Sequence, residues 1–143
     1  MEENSRLNSL LEANERFYRV FESLDFAAME DLWEKSDRVF CVHPGWSPLY
    51  GQRPVLDSWK RIIENTSTMH FDLIDVRGRL EENIGVVTLL EQIQSQVGQE
   101  RHSSGAVYTN LFSFDGSSGL WKLYHHHASS AALPDESEHG PLN

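Results

Sequence analysis

Residues 108–130, YTNLFSFDGSSGLWKLYHHHASS, decide the fold of this chain. Apolar and polar side chains alternate on both sides of the turn formers Asp115–Gly119, which predicts two antiparallel strands joined by a short loop. Two further strands, over His70–Leu80 and Ile84–Gln96, precede this hairpin and are joined by a tight turn at Glu82-Asn83. Four long strands with short connections predict an antiparallel sheet.

The N-terminal half has helical periodicity instead. Apolar residues from Leu7 to Leu24 recur at the spacing of one helix face, and Asn14 is assigned to the polar outer face. Asp25 is placed to cap a second helix, and Pro54 suits the first turn of a third. A short strand, Arg38–His43, lies between these two helices. Helices on one side of an antiparallel sheet predict an α+β domain, and a curved sheet would enclose an apolar pocket.

The composition is that of a single globular domain, which we place at residues 1–130, with a flexible tail at 131–143. The chain has 143 residues and a formal net charge of −10, which argues against nucleic-acid and anionic-membrane surfaces. No apolar run is long enough to span a membrane, and the first residues lack a signal-peptide pattern, so a cytoplasmic location is expected. The lone cysteine, Cys41, lies in an apolar run and is interpreted as a buried core residue.

Four segments carry a family resemblance. In chain order they are CVHPGWSPLYGQ (41–52), VVTLLEQI (86–93), YTNLFSFDG (108–116) and WKLYHHHAS (121–129). Together they resemble the SnoaL-like branch of the nuclear transport factor 2-like superfamily, which also includes ketosteroid isomerase, scytalone dehydratase and the association domain of calcium/calmodulin-dependent kinase. The resemblance implies a cone-shaped α+β barrel, with three N-terminal helices on a curved, mostly antiparallel sheet, and a homodimer formed through the outer sheet face. It does not carry a reaction, because this fold supports isomerases, dehydratases and pure binding modules.

The histidine run divides by strand geometry. Because side chains alternate along a strand, His125 and His127 are predicted to share a face with Trp121 and Leu123, while His126 points to the other face. The run continues a strand pattern, so it is not interpreted as a purification tag. A metal site would need a third ligand, such as His43 or Glu91, converging on the pair, and no bound metal is expected.

The turn also predicts a register. With its centre in the Ser117-Ser118 pair, Asn110 lies opposite His125 and Tyr108 lies opposite His127, and a shift of one residue would change this pairing. Asn110 could orient a ligand with its uncharged amide or only satisfy its neighbours.

The candidate catalytic residues are His43, Glu91, His125 and His127. A histidine in a pocket can exchange a proton near neutral pH, and a carboxyl on an apolar strand should have a raised pKa if it faces inward. Glu91 could equally lie at a sheet edge in contact with water. The candidate ligand-binding residues share aromatic or amide side chains: Tyr18, Trp33, Trp46, Trp59, Tyr108, Asn110, Phe112 and Trp121.

Two functional hypotheses follow. The first is an isomerase- or dehydratase-type enzyme that acts by proton transfer on an apolar small molecule, without a metal or organic cofactor. The second is a non-catalytic module for ligand binding or oligomerisation. A pocket larger than about 300 Å³ with converging polar groups would favour the first, and a pocket filled by tryptophan side chains the second.

Overall fold

A computed structural model describes residues 2–132 of the chain. Over these residues the helices are α1 (Glu2–Ser23), α2 (Phe26–Leu32) and α3 (Gln52–Glu64). The strands are β1 (Phe40–Val42), β2 (Leu49–Tyr50), β3 (Thr68–Glu81), β4 (Ile84–Val97), β5 (Glu100–Asp115) and β6 (Leu120–Ala131).

The strands form one sheet in the order β2-β1-β6-β5-β4-β3. Neighbouring strands are antiparallel except β1 and β6, which run parallel. The helices pack on one face of this sheet, so the predicted α+β class is confirmed. The sequence pattern did not predict β2, because Leu49-Tyr50 is a two-residue segment inside a loop rich in turn formers.

The helix predictions are confirmed with one exception. Asp25 caps α2, since its side chain accepts a hydrogen bond from the Ala28 backbone N–H at 3.3 Å. Asn14, however, is buried, with only 1% of its surface exposed. It lies four residues after Leu10 and four before Tyr18, which places it on the inner stripe of α1 rather than on the outer face.

Two glycines allow α1 to lie close to the sheet. A Cβ atom on Gly85 of β4 would lie 2.5 Å from Leu10 Cδ1, and one on Gly78 of β3 would lie 2.8 Å from Leu11 Cδ2. Leu10 is fully buried and has little room to move. The close approach of α1 therefore depends on these two positions having no side chain.

A β-bulge in β6 decides which histidine faces inward. Phe112 pairs with Leu123, but the next pair is Leu111 with His125, so Tyr124 is an extra residue without a partner. A bulge of this kind reverses the alternation of all side chains that follow it. The turn that joins β5 and β6 lies where the sequence predicts, so the error comes from the bulge alone.

The bulge overturns the predicted histidine face. Trp121 and Leu123 are buried, as is His126, whereas His127 is exposed and His125 only half-buried. His125 and His127 therefore do not share a face with Trp121 and Leu123. The division of the run into a pair and a single residue is correct, but the single residue is the inward one.

The predicted register is wrong for the same reason. Asn110 pairs with His126, and Tyr108 pairs with Ala128, each one residue further along β6 than predicted. The consequence is that the inward-facing amide of Asn110 lies directly opposite an inward-facing imidazole.

A cluster of polar side chains, Glu34, Arg38 and Ser113, surrounds the bulge at Tyr124. The Arg38 guanidinium lies 3.8 Å from the centre of the Tyr124 ring and donates to Glu34 Oε2 at 2.7 Å. Glu34 also accepts from the Ser113 hydroxyl at 2.6 Å, and its backbone N–H donates to the Leu123 carbonyl at 2.8 Å. Arg38 lowers the pKa of Glu34 to about 2, so the carboxylate stays ionised at neutral pH.

β6 continues to Ala131. Most of the predicted tail, residues 133–143, lies outside the described residues. No helix in the described part of the chain is long and apolar enough to cross a membrane. The cytoplasmic location stays a prediction.

Candidate functional site

A cavity of about 310 Å³ lies between the helices and the inner sheet face. Its apolar lining is formed by Phe21, Pro44, Trp46, Ile62, Met69, Phe71 and Ile93. Its polar lining comes from His43, Ser95, Tyr108 and His126. Trp46 is 39% exposed and thus lies at the rim, where a ligand would enter.

Two larger hollows lie elsewhere on the molecule. One, of about 730 Å³, lies between α1 and β3, and another, of about 520 Å³, lies at the ends of β3, β4 and β5. Both are more open to solvent, and neither is lined by His43, Tyr108 or His126. The smaller cavity is therefore the one in which enclosure and reactive side chains coincide.

His126 is held by a buried chain of hydrogen bonds. Its Nδ1 lies 2.6 Å from Asn110 Oδ1, and the Asn110 amide nitrogen donates to Asn14 Oδ1 at 2.9 Å and to the Tyr18 hydroxyl at 3.0 Å. With the Asn110 oxygen facing His126, Nδ1 of His126 carries the proton. Nε2 then has a free lone pair, with no partner among the residues that the structure describes. In this arrangement Asn14 Nδ2 is buried without a hydrogen-bond partner among the described residues.

His43 is held in a similar way from α3. Its Nε2 lies 2.9 Å from Ser58 Oγ, and the Ser58 hydroxyl donates to the Val55 carbonyl at 2.6 Å. Because the only hydroxyl proton of Ser58 is donated to Val55, His43 donates to Ser58 Oγ through Nε2–H. The other ring nitrogen, Nδ1, is then unprotonated and can accept a hydrogen bond. The ring packs against Trp46 and Trp59, each with its centroid 4.7 Å away.

Burial keeps both imidazoles neutral. It lowers the pKa of His43 to about 4, and it lowers the pKa of His126 well below the ordinary value, with a contribution from His43. Their ring centroids are 6.4 Å apart. The cavity therefore contains two uncharged imidazoles, each with one nitrogen bonded to the protein and one unprotonated.

Glu91 is fully buried behind the cavity wall. Neither carboxyl oxygen has a hydrogen-bond partner within the described part of the chain. Burial raises the pKa of Glu91 to about 9, and the neighbouring Tyr108 hydroxyl, whose geometry falls short of a hydrogen bond, offsets part of the rise. At neutral pH the side chain is accordingly an uncharged acid.

The site residues predicted from the sequence lie in several different parts of the structure. His43, Trp46 and Tyr108 line the cavity, and Tyr18 and Asn110 belong to the chain that holds His126. Trp33 and Trp59 are fully buried core residues, and Phe112 and Trp121 line a separate groove of about 190 Å³.

His125 and His127 lie on the outer sheet face because of the Tyr124 bulge. The His125 ring stacks on Phe40 with a centroid distance of 4.6 Å. The pair therefore does not reach the cavity, and no three metal-ligating side chains converge over residues 2–132. The residue of the histidine run that lines the cavity is His126.

The sequence pattern did not indicate His126, Asn14 or Ser58 as residues of the site. Nothing in a single sequence marks the bulge that turns His126 inward. Asn14 and Ser58, in contrast, could have been found, because each is a polar residue at a position of an apolar helical stripe. Ser58 lies three residues after the buried Val55 of α3.

Comparison with known proteins shows the family of this chain. The model of the SnoaL-like domain matches residues 10–134. The chain belongs to the SnoaL-like domain family. A candidate dehydratase of the NTF2-like family from Streptomyces avermitilis is 32% identical, with a TM-score of 0.83 over 91% of this chain and 99% of that one.

Two other relatives of this SnoaL-like protein are more distant. The CaMKII hub of S. rosetta is 23% identical, with a TM-score of 0.71 over 87% of this chain and 96% of the hub, and shows the fold alone. The F-box protein SKIP8 of Arabidopsis thaliana is 26% identical over 128 residues. That match covers 90% of this chain but 52% of the plant protein, so the chain spans about half the length of this curated relative.

Glu91→Gln is predicted to stabilise the protein increasingly as pH rises. The folded-state pKa of Glu91 lies near 9, above the unfolded value of 4.5, so this carboxyl costs no stability below pH 4.5 and a growing amount up to pH 9. The difference in the free energy of unfolding between variant and wild type should widen by up to about 1.4 kcal/mol per pH unit. Urea unfolding from pH 5.5 to 8.5 measures it. The exposed Glu12→Gln is the control, and a difference that does not change with pH contradicts the buried neutral acid.

Proposed function

We propose that this protein binds a neutral apolar compound in the cavity and transfers a proton from a carbon of that compound by means of His126. The observation that carries the proposal is the unprotonated Nε2 of His126 in a largely apolar cavity, with Nδ1–H bonded to Asn110 Oδ1 at 2.6 Å. A positioned neutral imidazole is a general base. Isomerisation and dehydration are the reaction types that this group supports.

His126 is better suited to be the base than His43. An amide oxygen is a stronger hydrogen-bond acceptor than a hydroxyl, and the bond to Asn110 is shorter than the 2.9 Å bond from His43 to Ser58. The bond to Asn110 therefore holds the His126 ring in place, while burial and the neighbouring His43 keep its pKa well below the ordinary value. The Phe17 and Tyr108 rings, with centroids 5.0 and 4.9 Å from that of His126, add aromatic contacts to the charged form.

The proton balance is complete without a further reagent. His126 Nε2 takes a proton from an acidic C–H, and the electron pair moves into the adjacent conjugated system. In an isomerisation the proton returns to another carbon. In a dehydration it is given to a leaving hydroxyl, which departs as water. Only a proton is transferred, so the proposed reaction needs no cofactor.

The cavity lining supports a neutral ligand. None of its residues is Asp, Glu, Lys or Arg, and both imidazoles are uncharged at neutral pH. A charged ligand would lose its hydration without a partner of opposite sign. The Streptomyces relative, which is named as a candidate dehydratase, agrees with the proposed reaction type.

The alternative is a non-catalytic binding module. Its support is that the Asn14–Asn110–His126 chain is fully buried, as a purely structural network would be. The two functions differ in whether the bound compound exchanges a carbon-bound proton.

We also propose that two copies associate through the outer sheet face. Val107, which is 43% exposed, lies between Leu90 and Ser129 on this face, and Tyr50 is 69% exposed. An uncovered apolar sheet face commonly marks an interface. The similarity to a CaMKII hub agrees with self-association.

His126→Gln is predicted to lower proton exchange by about 100- to 10,000-fold, which is the range that a general base contributes. The assay follows deuterium entry from D₂O into the α-carbon of 2-tetralone by mass spectrometry. The matched control, His127→Gln, changes the neighbouring outward residue and should retain wild-type exchange. Wild-type exchange at the buffer rate, with 2-tetralone bound, would favour the binding module instead.

Val107→Glu is predicted to convert the dimer into a monomer, because it places charges in the centre of the interface. Sedimentation velocity at micromolar concentration gives the mass. Val97→Glu is the control, since Val97 is equally exposed but lies at the β4–β5 turn. A monomeric wild type, or a dimeric Val107→Glu, contradicts the interface.

A further inference from the structure

The hydrogen-bond directions around the cavity determine whether a ligand must supply a donor or an acceptor. His43 has one nitrogen bonded to Ser58 and presents the other, Nδ1, as an acceptor. The Cys41 thiol lies 4.0 Å from Nδ1 and 3.5 Å from Nε2, and at 4.0 Å this weak donor forms little hydrogen bonding with Nδ1. His43 is therefore an acceptor in need of a donor, in a place where water is largely excluded.

Ser58 determines the tautomer of His43. A serine hydroxyl has one proton, and in Ser58 that proton is donated to the carbonyl of Val55, one helical turn earlier, at 2.6 Å. Only the lone pairs of Oγ remain for His43, so the ring has to donate from Nε2. Ser58 itself does not line the cavity, and it acts on a ligand only through the tautomer of His43.

We infer that His43 is a specificity-determining residue that accepts a hydrogen bond from a hydroxyl group of the ligand, and that Ser58 is the positioning residue that sets its tautomer. The inference rests on the proposed function, in which His126 faces the acidic carbon of the same ligand. The ligand class is therefore a neutral hydroxylated ring compound, such as a phenol or a cyclic alcohol.

The same geometry selects against close analogues. A methyl ether or a carbonyl at this position places oxygen lone pairs against the lone pair of Nδ1 and leaves the buried acceptor unpaired. The loss expected for such a group corresponds to roughly ten- to hundredfold weaker binding. Aromatic walls from Phe21, Trp46 and Phe71 suit a flat ring system.

The test measures binding of 2-naphthol, 2-methoxynaphthalene and naphthalene by calorimetry at pH 7. Wild type should bind 2-naphthol at least tenfold more tightly than 2-methoxynaphthalene. His43→Phe should reduce this ratio to below about threefold, because the acceptor is gone. His127→Phe is the matched control on the outer face and should retain the wild-type ratio.

Ser58→Ala provides a variant that leaves the cavity lining intact. Without the Ser58 oxygen, His43 can carry its proton on Nδ1, so the preference for 2-naphthol should fall while naphthalene binds as before. A thermal melt confirms that each variant is folded.

Three results would overturn the inference: a wild-type ratio near one, a ratio that survives in His43→Phe, or no binding of any of the three compounds. The proposed function is tested separately, at a 2-tetralone concentration that saturates the cavity, since this ketone offers His43 no hydroxyl and is expected to bind more weakly. If the protein prefers 2-naphthol but does not catalyse deuterium exchange in 2-tetralone, the inference on His43 holds and the proposed enzyme activity is wrong. If it catalyses exchange but does not prefer 2-naphthol, the enzyme activity holds and the inference on His43 is wrong.

Discussion

The hydrogen bond between His126 Nδ1 and Asn110 Oδ1 is the interaction on which the site depends. It exists only because the bulge at Tyr124 turns His126 inward, opposite Asn110. Asn110 is in turn oriented by Asn14 and Tyr18 of α1, so one chain of polar groups connects the last strand with the first helix. The network connects the packing of α1 with the tautomer of the imidazole, although Asn14 Nδ2 has no partner among the described residues.

Desolvation determines the chemistry of the interior. The chain has a formal net charge of −10, yet the groups nearest the cavity are uncharged at neutral pH. Burial lowers the pKa of both His43 and His126 and raises that of Glu91, so the histidines act as acceptors and the carboxyl as an acid. The surface charge therefore argues against nucleic-acid partners, whereas the neutral interior, which composition does not reveal, determines the ligand.

The sequence predicted the fold well, because period-two and helical patterns report directly on which side of an element is buried. The α+β class, the cap at Asp25 and the β5–β6 turn are confirmed. The site was predicted less well. Alternation is a local rule, and a single unpaired residue such as Tyr124 reverses it without leaving a signal in the sequence. Asn14 was assigned to the wrong face because its polarity outweighed its spacing. Long-range contacts, such as the bond from Asn110 to Asn14, depend on the assembled fold and are not encoded in any one segment.

The measurement that tests the central claim most directly is ¹⁵N NMR of the histidine side chains at pH 7, with the His126 signals assigned by their loss in His126→Gln. Hydrogen positions follow here from the hydrogen-bond network, and the spectrum reports them independently. The account predicts a neutral ring with the proton on Nδ1 and an unprotonated Nε2. A proton on Nε2, or a charged imidazolium at this pH, would contradict it.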